Sequence, residues 1–293
     1  MAKDKKTTIE IVTDAILKAL EEGTVPWNKP WISTGGKALS MSTKKPYRGF
    51  NSLALYVSSL DGGFTSPWWG TYKKINKLGG KVIQGQHPTP VSFYKFFKKV
   101  NDEGEEETRV MHRYYNVFNQ QQAEGLDEVF PIAEAEEFEF TPIERAEALV
   151  EGYTNKPEVD YGGDRAFYMP TRDRIGMPEQ KQFTSPEEFY SVLFHEFTHS
   201  TGHKDRLNRD LSGMQSSHKY SYEELVAEMG AAFMCYEAGI ENTLDNSASY
   251  LASWSRALKD KPVWIVRAGN KAQQAFDYML GKSYDDEEDK DAN

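Results

Sequence analysis

His195-Glu196-Phe197-Thr198-His199 sets the chemistry open to the second half of this chain. On a helix, residues four apart stand one turn above each other on the same face, so both imidazoles can reach one metal ion. Zinc takes imidazole nitrogen at about 2.0–2.1 Å, and its hydrolytic sites use three protein ligands and keep a position for water. Glu196, one residue on, can point at that water and take its proton. The residues ahead of the motif are those that begin a helix: Ser185 at the cap, Pro186 in the first position and a glutamate, Glu188, at the third. Phe189, Val192, Leu193 and Phe197 supply the buried face, and Gly202 is the expected terminator.

Two histidines need a third protein ligand, and three residues compete for the place. Glu224 and Glu228 lie one turn apart on a second predicted helix, Ser221 to Ile240 (SYEELVAEMGAAFMCYEAGI). Their spacing resembles the gluzincin arrangement, in which the first carboxylate binds metal and the second supports a histidine ligand. If Glu224 instead closes a capping box with Ser221, Glu228 becomes the ligand. Asp205 is the third candidate, because HEFTHSTGHKD (195–205) also fits the metzincin layout HExxHxxGxxH with Asp at the last position. The order of preference is Glu224, Glu228, Asp205. His203 follows His199 too closely on a chain turning at Gly202 and reads as a surface or supporting residue. Imidazole plus carboxylate favours Zn²⁺, while Mn²⁺, Fe²⁺ or Co²⁺ suit similar ligands.

The chain has 293 residues, enough for two domains, and 39% hydrophobic residues can fill ordinary cores. No run of 18 apolar residues occurs, and the opening MAKDKKTTIEIV lacks the apolar stretch of a signal peptide. Cys235 stands alone, which excludes a disulfide framework and a cysteine-based zinc site. These features predict a soluble cytoplasmic protein with no membrane partner. A net charge of −10 argues against nucleic acid until its distribution is read. Residues 1–100 hold 16 Lys+Arg against 6 Asp+Glu, and the remaining 193 hold 19 against 39. Such asymmetry predicts two domains with different partners, the basic one a polyanion binder.

In the first half, Ile9, Val12, Ile16 and Leu20 follow helical spacing behind a cap at Thr7 or Thr8, with Gly23 beyond the end. Helices are also predicted from about Asn51 to Leu60 and from Thr71 to Leu78, the latter carrying Lys73, Lys74 and Lys77. Val91–Val100 and Arg109–Phe118 read as strands joined by the polar loop Asn101–Thr108. Aromatic and cationic residues alternate here, and single-stranded nucleic acid needs that pairing: π-faces for unstacked bases, cations for phosphates. Trp27, Trp31, Tyr47 and Trp68 are the surface aromatics to expect, since they sit in Pro/Gly/Lys-rich connections. Lys29, Lys44, Lys45 and Arg48, with the lysines of the short helix, complete the predicted DNA interface.

Asp127–Phe140 is acidic and reads as a linker or wrapping segment. Thr141-Pro142-Ile143-Glu144 opens a helix, and a turn at Tyr161-Gly162-Gly163 leads into a strand near Phe167-Tyr168-Met169. In metallopeptidase folds an edge strand near this point can pair with an extended substrate. Asp285-Asp286-Glu287-Glu288-Asp289 reads as part of a disordered acidic tail.

The first half carries Gly23-Thr24-Val25-Pro26-Trp27, Lys45-Pro46-Tyr47-Arg48-Gly49-Phe50-Asn51, Gly63-Phe64-Thr65-Ser66-Pro67-Trp68, Tyr115-Asn116-Val117-Phe118-Asn119 and Gln122-Ala123-Glu124-Gly125-Leu126. The second half carries Phe194-His195-Glu196, His199-Ser200-Thr201-Gly202-His203, Arg206-Leu207-Asn208-Arg209-Asp210 and Glu223-Glu224-Leu225-Val226-Ala227-Glu228. In these stretches, and so over nearly its whole length, the sequence resembles the ArdC-type antirestriction proteins of conjugative plasmids. The resemblance implies an N-terminal single-stranded-DNA-binding domain, similar to a region of some plasmid primases, and a C-terminal zincin-like metallopeptidase domain. It also implies protection of incoming plasmid DNA from host restriction after conjugation, a role that composition does not carry. The family pattern does not fix Asp at the position of Asp205.

The expectation is therefore an α+β protein with a DNA-binding domain at 1–126, a linker at 127–141, a zincin-like domain at 142–284 and a tail at 285–293. His195, His199 and Glu224 would hold Zn²⁺, with Glu196 as general base. The partners would be single-stranded DNA, with double-stranded DNA second, and a protein substrate such as a host restriction factor. The rival reading is a DNA-coating or restriction-enzyme-sequestering protein whose metal site is structural or vestigial.

Overall fold

The computed structural model describes residues 8–22, 25, 37–100, 106–127, 129–130, 142–211, 222–240 and 248–282. Trp27, Lys29, Trp31, the linker from 131 onward, Ser221 and the acidic tail lie outside the described residues.

The chain is an α+β protein built around two sheets and a group of helices. In the first half, helix α1 (Thr8–Glu21) is followed by strand β1 (Leu39–Ser40), helix α2 (Gly49–Gly62), strand β2 (Trp68–Thr71) and the short helix α3 (Tyr72–Lys77). Two long strands follow, β4 (Thr89–Val100) and β5 (Glu106–Asn119), while β3 (Lys81–Val82) and β6 (Ala123–Glu124) form a separate ribbon. The main sheet runs β1-β2-β5-β4, with β1 parallel to β2 and the other pairs antiparallel. The loop expected at Asn101–Thr108 is shorter than its polarity implied. Pairing continues to Val100↔Glu106, because backbone ladder bonds extend through polar residues as readily as apolar ones.

The second half opens with α4 (Pro142–Gly152) and a small sheet of β7 (Glu158–Tyr161), β8 (Phe167–Met169) and β9 (Arg174–Met177), ordered β7-β9-β8. Only β8, marked by the apolar run Phe167-Tyr168-Met169, was expected; the polar and charged residues of β7 and β9 show no comparable run. Helices α5 (Pro186–Ser200), α6 (Tyr222–Ala238), α7 (Ala248–Asp260) and α8 (Val263–Met279) complete the fold.

The two halves share a core. Val12, Ile16 and Leu20 of α1 and Phe50, Leu53 and Val57 of α2 join Phe194 of α5, Val226 of α6, Trp254 of α7 and Ile265 of α8 in one buried cluster. Helix α2 explains this arrangement. No charge stands between Arg48 and Asp61, and apolar residues on more than one face of the helix call for cover from more than one side. Its opposite side gives Leu55 to a second cluster with Trp69, Val91 and Val117 under the main sheet. Asn51 pins the helix to β4 by a reciprocal pair, Nδ2–H to the Ser92 carbonyl at 2.7 Å and Ser92 N–H to Oδ1 at 2.8 Å.

The start of α2 is docked on α8. Gly49 N–H donates to Gln273 Oε1 (3.0 Å) and Phe50 N–H to Asn270 Oδ1 (3.2 Å), so α8 side chains satisfy the open amides of the helix end. Gly49 has φ 53°, and a Cβ there would lie 2.5 Å from Asn270 Oδ1. Arg48 is ion-paired with Asp277. Tyr47, expected on the surface, is buried and packs against Phe93. Pro/Gly-rich sequence marked a connection correctly here, and residues 44–46 are exposed, but Tyr47 turns into the cluster under the main sheet and Arg48 toward α8. Phe130, at the head of the expected linker, is likewise buried, its ring 4.8 Å from that of Trp68.

Candidate metal centre

Helix α5 starts as its sequence predicts. Ser185 accepts the N–H of Glu188 at 3.2 Å, and the Glu188 carboxylate accepts both the N–H and the hydroxyl of Thr184 at 2.6 Å. Its end differs from expectation. The helix stops at Ser200 with Thr201 in right-handed geometry, and Gly202 does not take a positive φ. Gly202 supplies space instead: a Cβ would sit 2.6 Å from Leu211 Cδ2 and 3.1 Å from the His199 carbonyl.

Glycine also sets the approach of α6. A Cβ on Gly230 would lie 2.4 Å from Cγ2 of Thr198, the residue before the second histidine. The two helices thus touch through a position where only hydrogen fits, which carries the acids of α6 to the imidazoles of α5.

His195 Nε2 and His199 Nε2 are 3.0 Å apart. Glu224 straddles them, Oε2 at 3.5 Å from His195 Nε2 and Oε1 at 3.5 Å from His199 Nε2. One ligand atom from each of these three residues lies within 4.8 Å of the others. The remaining nitrogens face two other glutamates: His195 Nδ1 is 3.9 Å from Glu228 Oε1 and His199 Nδ1 is 3.6 Å from Glu223 Oε1. Both Nδ1 atoms are buried without a hydrogen bond, so a slight contraction of the site would complete two carboxylate–imidazole pairs. Glu196 is buried beside the group.

The electrostatics suit a cation. Burial opposes the imidazolium form of His199, but Glu223 and Glu224 outweigh it and push the residue up to about 10. His195 is raised by Glu224 and Glu228 against the same burial. Glu224 lies far below the ordinary carboxylate range, burial being overcome by both histidines. Glu196 moves the other way: burial raises it, and the histidines only partly offset this. Two imidazoles and a carboxylate are a zinc-hydrolase donor set, and the carboxylates that draw protons onto the imidazoles would equally favour a divalent ion in their place.

Among the residues weighed from sequence, His195, His199 and Glu224 come together, Glu228 lies behind His195, and Asp205 stands apart. Asp205 is exposed and pairs with His203 at 3.5 Å in the turn after α5. Sequence reading passed over Glu223. Its signal is its position directly before Glu224: 100° apart on a helix, both can face α5.

In the basic half, Lys44 holds its ammonium 3.6 Å from the Phe130 ring centre and 4.9 Å from that of Trp68. Lys44 is lowered by partial burial and by the nearby charge of Lys74. Lys45, Lys73 and Lys77 are exposed, as is the ring of Tyr72 at the start of α3. Lys44, Trp68 and Lys74 therefore gather in one place, whereas Tyr47 is buried and Arg48 is ion-paired with Asp277.

Residues 144–271 match a family described as zincin-like metallopeptidase, and residues 6–118 match the N-terminal domain of anti-restriction factor ArdC. The chain is 34% identical over 296 residues to DNA primase TraC of Escherichia coli, covering 94% of this chain but only 20% of the primase. Among solved structures, antirestriction protein ArdC of plasmid R388 in its metal-free form is 34% identical, with TM-score 0.72, over 92% of this chain and 96% of that one. Its Mn(II)-bound form is 32% identical, with TM-score 0.74, over 94% and 98%.

Proposed function

From its membership of the ArdC family of antirestriction proteins, to which this chain belongs, we propose that it binds single-stranded DNA through its basic half and carries a zinc peptidase site in its second. The observation that carries the peptidase reading is Glu224 placed 3.5 Å from the Nε2 atoms of both His195 and His199. These three residues would hold the ion, and Mn²⁺ is an alternative to Zn²⁺, since a relative of this fold binds Mn(II). When bound, such an ion polarises a carbonyl and lowers the pKa of a water toward ~7.

The chain's own residues supply the rest. Glu196 is buried and its carboxyl is raised, so it is a better base than an exposed glutamate and can return the proton to a leaving amine. Glu228 and Glu223, set against the Nδ1 atoms, would orient the two imidazoles. Strand β8 is the edge of its sheet beside α5 and offers a rail on which an extended substrate could lie. The substrate is a protein, with host restriction factors the class implied by the family's role. Lys44, Lys45, Lys73, Lys74 and Lys77 would meet phosphates, with Tyr72 and the accessible part of Trp68 for bases. Trp27, Lys29 and Trp31 belong to the same proposal on sequence grounds.

Elemental analysis of wild type, His195→Ala, Glu224→Ala and Glu228→Ala proteins tests the site. We expect about one metal ion per chain in wild type, lost with His195 or Glu224 and retained with Glu228→Ala. Unchanged metal content in the first two variants would overturn the ligand set. Glu196→Gln should keep its metal and lose about 100- to 10,000-fold in peptide cleavage. Full antirestriction by that variant would show that cleavage is dispensable and favour simple DNA coating. In the DNA-binding half, replacing Lys73, Lys74 and Lys77 by Ala should lower the salt dependence of single-stranded-DNA affinity by about 0.7 in log–log slope for each phosphate no longer neutralised.

A further inference from the structure

The segment after α5 folds back on the helix it has just left: Leu207 N–H bonds the Thr201 carbonyl at 2.9 Å and Arg209 N–H the Gly202 carbonyl at 3.0 Å. This return carries the Arg209 side chain inward, where it is only 3% exposed. Its guanidinium forks the Glu223 carboxylate, Nε to Oε2 at 3.1 Å and Nη2 to Oε1 at 2.5 Å. The rest of the fork reaches the end of α5, Nη1 to Thr201 Oγ1 at 2.6 Å and Nη2 to the Thr198 carbonyl at 2.7 Å. Glu223 Oε1 is also the oxygen that faces His199 Nδ1 at 3.6 Å. A chain of contacts thus runs from Arg209 through Glu223 to a metal-facing histidine.

We propose that Arg209 is a positioning residue of the metal centre: by fixing Glu223 it decides which of two adjacent glutamates serves as ligand. Glu223 and Glu224 are consecutive and approach His199 from its two nitrogens, at 3.6 and 3.5 Å. Without a partner, a buried Glu223 carboxylate would seek the nearest cation, and in the loaded protein that is the metal. Held in the fork of Arg209, it stays behind His199 as acceptor for Nδ1–H, which leaves Nε2 and Glu224 for the ion. Arginine suits the task because its planar fork sets the direction of the carboxylate as well as neutralising it. The inference rests on the metal-site reading above. The bonds to Thr198 and Thr201 finish α5, and the pair with Glu223 is the part of the fork that reaches the histidine.

The test is the affinity of the full-length protein for Zn²⁺, by competition with a chromophoric chelator, alongside the melting temperature of the metal-free form. Wild type, Arg209→Met, Arg209→Lys, Glu223→Gln and the Arg209→Met/Glu223→Gln double variant are compared. We expect Arg209→Met and Glu223→Gln each to weaken binding about 10- to 100-fold, with Arg209→Lys between wild type and Arg209→Met. The double variant should be no weaker than the worse single one, because both changes break one path. Additive losses, or singles that bind as wild type does, would overturn the positioning role while leaving the metal site standing. A wild type that binds no Zn²⁺ would take down both readings. If Arg209→Met fails to fold, Glu223→Gln, which keeps the side-chain shape, decides the matter by the same affinity measurement.

Discussion

Helix α6 carries acids at both ends, and the two ends have opposite surroundings. Toward its N-terminus, Glu224 and Glu228 face the imidazoles of α5, groups that are neutral whenever they ligate a metal, and Arg209 answers Glu223. Near its C-terminus, Glu237 meets Lys37 at 2.8 Å and Arg145 and Lys282 at 3.8 Å each. Three cations from three distant segments converge on that single carboxylate. The first end calls for a cation and the second already has its own. Charge balance, more than acidity, separates a site from a joint: a cluster of acids attracts an ion where its partners are imidazoles that can give up their protons, not where they are lysines and arginines.

The sharpest way to break this comparison is to neutralise each end in turn. Glu224→Gln should abolish metal binding, while Glu237→Gln should leave it unchanged, both read by elemental analysis and metal titration. Loss of metal in the Glu237 variant would mean that the two ends are coupled and that the contrast is wrong.

Next in size is the contact that brings the first end into place. Gly230→Ala puts a methyl against Thr198, which must move or push α6 away. We expect about 1–3 kcal/mol of destabilisation by urea titration, together with weaker metal binding. Normal metal affinity in a destabilised protein would show that the ligands tolerate the helix shift.

The smallest expected effect lies in the acid dependence of the joint. Burial would raise Glu237, but Lys37, Lys282 and Arg145 together hold it below the ordinary carboxylate range. A carboxylate depressed in the folded state adds stability that is complete above its unfolded value of about 4.5 and is lost as pH falls through the folded value. The urea midpoint of wild type should therefore drop more steeply between pH 6 and 3 than that of Glu237→Gln. Parallel curves would remove Glu237 from the account of acid stability.

Legibility followed sequence distance. Helix α5, its cap at Ser185 and the shared face of His195 and His199 were all plain, because each depends on residues within four positions of one another. The lysines of α3 were equally plain and stand where expected. Tyr47 and Arg48 misled, because nothing local reveals that Tyr47 turns under the main sheet or that residues 48–50 dock on a helix more than 200 positions later. Helices α7 and α8 carried no motif that set them apart, although α8 bears the groups that cap α2.

The amino-acid pattern was enough for the α+β class, the shared face of His195 and His199 with Glu196 between them, and the separation of basic and acidic halves. Helix geometry and composition are local properties and need no partner. Only the fold set Glu224 against both imidazoles, with Glu228 behind His195 and Asp205 apart, brought in Glu223 and Arg209, and joined the halves through α2. Those choices depend on how closely α6 approaches α5 at Gly230 and on which side chains a shared core turns inward. Contacts between segments far apart in the chain fix both, and no spacing within either segment encodes them.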